Sequence, residues 1–448
     1  MHFSGTQNLQ LILTSINMNF YSLNHQAPNV SFKDAVIKGI APDRGLYFPE
    51  IIKALPKDFF NKIEDYSDHE IAFLAIQQFV GKDIPEDALK EIIADVLDFE
   101  FPLVEIEDDV AALELFHGPT LAFKDVGARF MARCLGYFSS ENTKDVTVLV
   151  ATSGDTGGAV ANGFLGVDGV KVVILYPSGK VSDIQEKQLT TLGKNITALE
   201  VEGTFDDCQN MVKTAFLDEE LIQNMQLTSA NSINVARWLP QMFYFLFAYK
   251  EMKSKGKDII FSVPSGNFGN ICAGIMAQRL GMPCKHFIAS TNVNDVVPRY
   301  MDTGEYDPKA SIATISNAMD VGDPSNFIRI RHLYKDNFEE LSKNISSYSF
   351  TDNETKEAML KLYNDFTYVA DPHGAVGYLG LKKYQETHPD IYGIFLETAH
   401  PVKFLDVVED TIRENIDLPE SIVKVMGKKK KSIKISQYSE LKGYLLGK

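Results

Sequence analysis

The sequence predicts an α/β protein built on parallel sheets. Two observations carry this. From about residue 110 onward, β-branched runs alternate with helical patterns. Three of those runs lead directly into Gly-rich or otherwise distinctive loops, the places where such sheets gather ligands. The remaining composition agrees: 448 residues, 45% hydrophobic and 23% charged, are enough to bury a large core without staples.

Taken in order, residues 18–112 read as a mainly helical N-terminal domain. Helical patterns fall at Phe32–Lys38, Asp68–Val80 and Glu86–Leu97, with the turn-rich stretch 41–49 (APDRGLYFP) between the first two. Residues 113–448 read as a catalytic region of two α/β subdomains, the smaller at roughly 146–257. Val146–Ala151 is a strand, followed by the loop 153–158 (SGDTGG) and a small-residue helix over 159–164. Strands follow at 170–176 and 196–201, with a helix at 182–192 between them. Thr204 is placed to cap a helix over 206–217. A continuous helix is expected at 233–252. Next come a strand at 258–263, the loop 265–270 (SGNFGN), a helix to Leu280, a strand at 285–290 and a late strand at 393–396.

Charge and cysteine content exclude several classes. Formal net charge is −16, which leaves no basic face for nucleic acid, and the run Lys428–Lys431 reads as a solvated stretch. The cysteines Cys134, Cys208, Cys272 and Cys284 form no C-x-x-C pair, so neither a disulfide framework nor a zinc site is signalled and a cytoplasmic setting is expected. No apolar run approaches the ~18 residues of a membrane span. The first 17 residues lack a basic n-region and a cleavage site. Met18 reads either as an alternative start or as the beginning of the ordered protein, with residues 1–17 an extension. Nucleotide P-loop, dinucleotide, zinc-protease and serine-hydrolase motifs are absent, and the nine histidines show no ligand spacing, so no metal is expected.

Two features carry chemistry. The loop 265–270 (SGNFGN) offers two glycines for close backbone approach, asparagine donors and a following helix N-terminus, with no carboxylate to repel an anion. It reads either as a phosphate cradle or as a βα turn needing glycine. Lys124 opens a helix between flanking Leu121 and Phe123. There the positive dipole end and desolvation both favour a neutral amine, as Schiff-base chemistry needs. The alternative is a solvated lysine at a helix start.

Lys124 in its setting 117–131 (HGPTLAFKDVGARFM), 153–157 (SGDTG), 266–270 (GNFGN) and 397–404 (ETAHPVKF) together resemble the threonine synthase family. The start, 18–49, is also similar to that family, and the likeness runs to the C-terminal region. It implies fold type II of the pyridoxal 5'-phosphate (PLP) enzymes, with two parallel-sheet α/β domains and a mainly helical N-terminal domain. It further implies that Lys124 holds PLP covalently, that Gly266, Asn267, Phe268, Gly269 and Asn270 bind its phosphate, and that Thr398 hydrogen-bonds the pyridine nitrogen. Ser153, Thr156 and Gly157 would receive the substrate carboxylate, while Asp155 would face the amine or ring-hydroxyl side or serve as a helix cap.

The segment 229–241 (SANSINVARWLPQ) offers Asn234 and Arg237 for the substrate phosphate, with Lys180 a weaker candidate. Arg237 reads equally as a structural ion-pair partner. The implied reaction converts O-phospho-L-homoserine and water into L-threonine and phosphate, in a monomer or homodimer. A phospho-lyase giving a 2-oxo acid and ammonia is the alternative, and a non-catalytic binding protein on the same fold is a further one.

Overall fold

The computed structural model describes residues 18–139 and 145–448; the extension at 1–17 lies outside the described residues. Two sheets organise the chain. The larger has six strands in the order Ile345–Ser349, His286–Thr291, Asp258–Pro264, Ile391–Glu397, Val110–Glu114 and Leu103–Glu107. All neighbours are parallel except the last pair, an antiparallel hairpin at one edge. The smaller has five strands, all parallel, in the order Ile433–Ile435, Ile196–Val201, Val170–Pro177, Val146–Ala151 and Gln226–Ser229.

Central strands are mostly apolar and buried on both faces rather than alternating, because helices cover both faces. Every residue of Val146–Ala151 and of Ile391–Glu397 is buried. The most enclosed helix is Met242–Met252, where aromatic and aliphatic side chains occupy all faces and only Lys250 and Glu251 reach the surface. The uninterrupted helix expected at 233–252 is not formed. A four-residue helix, Val235–Trp238, gives way to a 3₁₀ turn at Leu239–Gln241 before Met242–Met252 begins. Pro240 is the reason, since it has no N–H to give the preceding turn.

The N-terminal unit forms the expected helices Phe32–Lys38, Asp68–Val80 and Glu86–Val96, the second closed by a reciprocal Ser67–Glu70 capping box. It also contains a small antiparallel ribbon, Phe20–Ser22 with Tyr47–Pro49, that the pattern did not suggest. A boundary at residue 112 falls inside strand Val110–Glu114 of the large sheet. We therefore place the end of the N-terminal unit before Leu103. The smaller lobe likewise takes in more than 146–257, because Ile433–Ile435 returns to pair with Ile196–Val201 at its edge. No described helix is long and apolar enough to cross a membrane.

Candidate active site

Strand Ile391–Glu397 lies at the middle of the large sheet, and its carboxyl end runs straight into Thr398. Just beyond, Ala399 bridges to Ala122 in antiparallel fashion. The Phe123 amide donates to the Thr398 carbonyl at 2.9 Å, and the His400 amide to the Leu121 carbonyl at 3.1 Å. These bonds fix Lys124 beside Thr398, although the two stand far apart in sequence. Lys124 is the first residue of helix Lys124–Ser139. That helix approaches Val235–Trp238 closely at Gly127, where a Cβ would sit 2.3 Å from the Arg237 carbonyl oxygen. Only glycine permits this packing, which sets the backbone of Arg237 against the helix that Lys124 opens.

Lys124 makes no ion pair among the described residues. Burial lowers its amine pKa; Asp155 opposes that shift, while Lys403 and Arg237 add to it. Of the two influences argued from the sequence, desolvation is the one that leads here. Thr398 is buried, and its hydroxyl makes no hydrogen bond among the described residues.

The 265–270 loop leads into helix Gly269–Arg279, whose N-cap is Phe268 in the left-handed region (φ 61°) with no side-chain cap. The first N–H groups of a helix have no intrahelical acceptors, so this end presents donors to an anion. A Cβ at Gly266 would stand 2.6 Å from the Ala318 carbonyl oxygen and 2.8 Å from Met319 Cα, so glycine is required there. The asparagine side chains are engaged within and beside the loop. Asn267 Nδ2 donates to Ser232 Oγ (2.7 Å) and its Oδ1 accepts from the Ser325 amide (2.6 Å). Asn270 Nδ2 donates to the Pro264 carbonyl (2.8 Å), and its Oδ1 accepts from the Ile271 amide (2.9 Å). Both brace the loop.

Across the crevice, Gly154 (φ 145°) ends the turn before helix Asp155–Gly163. The Gly157 amide is engaged by Thr152 Oγ1 at 2.8 Å, which removes it as a carboxylate donor; Ser153 and Thr156 remain half-buried. Asp155 is buried and meets Lys403 Nζ at 2.6 Å and Gln185 Nε2 at 3.0 Å. Burial alone would raise its pKa, but Lys403 and then Lys124 outweigh that and hold the carboxyl well below the usual carboxylate range. Lys403 and Gln185 were missed from sequence. Lys403 lay within a matched segment, but nothing local pairs it with an acid on the other lobe.

The two residues offered for the substrate phosphate part company. Asn234 is fully buried and wholly used by the backbone: its Oδ1 caps the Ala236 amide (3.1 Å), and its Nδ2 serves the Val36 and Ser229 carbonyls (2.9 and 3.2 Å). That corrects its assignment as a ligand. Arg237 is also buried. One Nη donates to the Ala230 carbonyl, Nε is unpartnered, and no carboxylate pairs with it among the described residues. Burial pushes its pKa down to about 10, against the opposing influence of Tyr244 and Asp125. Lys180 is exposed on the outer surface.

An unpaired lysine, an uncapped helix end with a mandatory glycine, and an open hydroxyl fit PLP. Residues 104–391 match the model of the pyridoxal-phosphate dependent enzymes, and that is the class this fold and site define. Residues 19–97 match the threonine synthase N terminus, and residues 374–444 its C-terminal model. The threonine synthase of Escherichia coli K12 is 43% identical over 409 residues, covering 90% of this chain and 94% of that one. Its crystal structure superposes with a TM-score of 0.90 at 41% identity, covering 96% and 99% of the two chains. PLP-bound threonine synthase from Brucella melitensis superposes equally well (TM-score 0.90, 32% identity, 96% and 98% coverage). The chain belongs to the threonine synthase family.

Proposed function

We propose that this chain converts O-phospho-L-homoserine and water into L-threonine and phosphate. The observation that carries the reading is the backbone clasp between Phe123 and Thr398, which joins the segment bearing the unpaired Lys124 amine to the one bearing the unpartnered Thr398 hydroxyl. Lys124 would hold PLP, Gly266–Asn270 would receive the cofactor phosphate, and Thr398 would hydrogen-bond the ring nitrogen. PLP supplies the electron sink. A hydroxyl does not keep a pyridine nitrogen protonated as a carboxylate would, so the sink is moderated toward elimination and replacement.

The substrate carries two anionic ends. Ser153 and Thr156 receive its carboxylate with hydroxyl and backbone donors. Arg237 takes the γ-phosphate, its unpartnered Nε supplying the missing donor. Lys124, as a base, moves protons at Cα and Cβ; phosphate leaves Cγ and water adds at Cβ. We place the chain in the cytoplasm, on the strength of its four free cysteines, as a monomer or homodimer.

The test is a product assay on O-phosphohomoserine. Threonine and phosphate in equal amounts support the reading. Formation of 2-oxobutanoate and ammonia instead makes the protein a phospho-lyase. A colourless purified protein, with no pyridoxyl adduct after borohydride, makes it a binding protein.

A further inference from the structure

The Asp155–Lys403 pair has had no role so far. It spans the crevice. Asp155 opens helix Asp155–Gly163 of the smaller lobe, and Lys403 sits in the turn Pro401–Phe404 beyond the central strand of the larger sheet. At 2.6 Å the pair is closed to solvent, with side-chain exposures of 0% for Lys403 and 5% for Asp155. Lys403 Nζ also donates to the Thr120 carbonyl at 2.9 Å, just ahead of Lys124, and Ser182 Oγ donates to the Lys403 carbonyl at 3.4 Å.

Three charged groups act electrostatically on Lys124: Asp155, which favours its charged form, and Lys403 and Arg237, which oppose it. Its neighbour Asp125 is turned away to the Thr120 amide and hydroxyl, and Tyr244 donates to the Phe123 carbonyl. Asp155 is therefore the one acid able to neutralise a Lys124 ammonium among the described residues. We propose that Lys403 is a positioning residue for Lys124: by holding the Asp155 carboxylate, it denies Lys124 a counter-ion and keeps it as the free amine that attacks an aldehyde. Burial, which lowers the Lys124 pKa first, and the opposed effects of Asp155 and Lys403 run the same way as the geometry. Lys403 also explains why a carboxylate is tolerated beside an anion site, since the pair carries no net charge.

The inference rests on Lys124 being the cofactor lysine. The step at stake is the attack of the amine lone pair on the cofactor's aldehyde carbon, whose oxygen leaves as water with the two amine protons. Only the unprotonated amine takes part.

The experiment strips PLP from the full chain, adds it back across a pH series, and reads the rate of incorporation as borohydride-fixed pyridoxyl on the mapped peptide. In Lys403→Met, Asp155 turns to Lys124, so the pH midpoint rises and incorporation at neutral pH slows by about tenfold. The double variant Lys403→Met with Asp155→Asn removes both charges and returns the midpoint toward that of the parent. Should the single Met variant not fold, Asp155→Asn alone leaves Lys403 unpaired beside Lys124 and lowers the midpoint. An unchanged midpoint with a lowered melting temperature makes Lys403 merely structural and overturns the proposal, as does a double variant no faster than the single. An adduct mapped in the parent to another lysine refutes the Lys124 assignment itself, a separate failure.

Discussion

Replacing Gly266 by alanine probes the cofactor cradle with one carbon. The added Cβ would stand 2.6 Å from the Ala318 carbonyl oxygen and 2.8 Å from Met319 Cα, both backbone atoms that no rotamer change can move. Either the 265–270 loop or the 3₁₀ turn Asn317–Met319 must give way. Overpacking of this kind costs roughly 1–3 kcal/mol. If the loop yields, its helix-end donors leave register with the phosphate, and PLP affinity falls by about 10- to 100-fold. Gly269 is the internal control. A Cβ there meets nothing nearer than Asn326 Nδ2 at 3.4 Å, an ordinary contact, so Gly269→Ala should bind PLP like the parent. Gly269→Asp places a carboxylate in the same open space and should lose PLP with the fold intact. Affinity is read from visible absorbance during PLP titration, and fold integrity from the melting temperature. A Gly266→Ala protein with parental affinity, or a Gly269→Asp protein with full occupancy, would refute the cradle.

Lys124→Ala should lose the borohydride-fixed pyridoxyl group and activity together, as checked by peptide mapping. Arg237→Ala removes a charge-assisted contact worth roughly 1.5–3 kcal/mol, so KM for O-phosphohomoserine should rise by one to two decades while the cofactor spectrum is unchanged. Lysine at that position should rescue only partly, because the planar fork is lost. His286 is held at about 4 by burial, with His388 adding and a Lys343 contact opposing. Its ordinary value is about 6.5, so the unfolded chain binds the extra proton first. Stability should therefore fall as pH drops from about 6.5 toward 4, by up to about 3 kcal/mol from this group. His286→Gln should flatten that limb in denaturant titrations, and an equally steep limb would assign the acid sensitivity elsewhere.

The parts of the fold that were legible in the sequence are those with strong local signals. Strand Val146–Ala151 is an unbroken β-branched or apolar run, Ile196–Val201 is one but for Glu200, and Thr204 caps its helix as its position promised. Strand Ile433–Ile435 was invisible, because only Ile435 of its three residues is buried and its place is set by a partner far up the chain. The site followed the same rule. The uncapped, glycine-bearing helix end could be read from five consecutive residues. The Asp155–Lys403 pair could not, since each half is an ordinary charged residue until the two lobes meet. Asn234 misled for the converse reason. An asparagine ahead of a short helix is first a capping residue, and here that role uses its whole side chain.

The clasp joining Phe123 to Thr398 also governs when, during synthesis, this protein first becomes able to hold its cofactor. Lys124 emerges from the ribosome long before its partner strand exists. At roughly 5–20 residues per second, the intervening chain takes roughly 15–55 s to make. By the end of that interval the chain has made four of the five strands of the smaller lobe and the Gly266–Asn270 loop, yet no Thr398 is present to hold Phe123 and Lys124 in place. The central strand Ile391–Glu397 slots between two strands already made, so its insertion is a late, non-local closure.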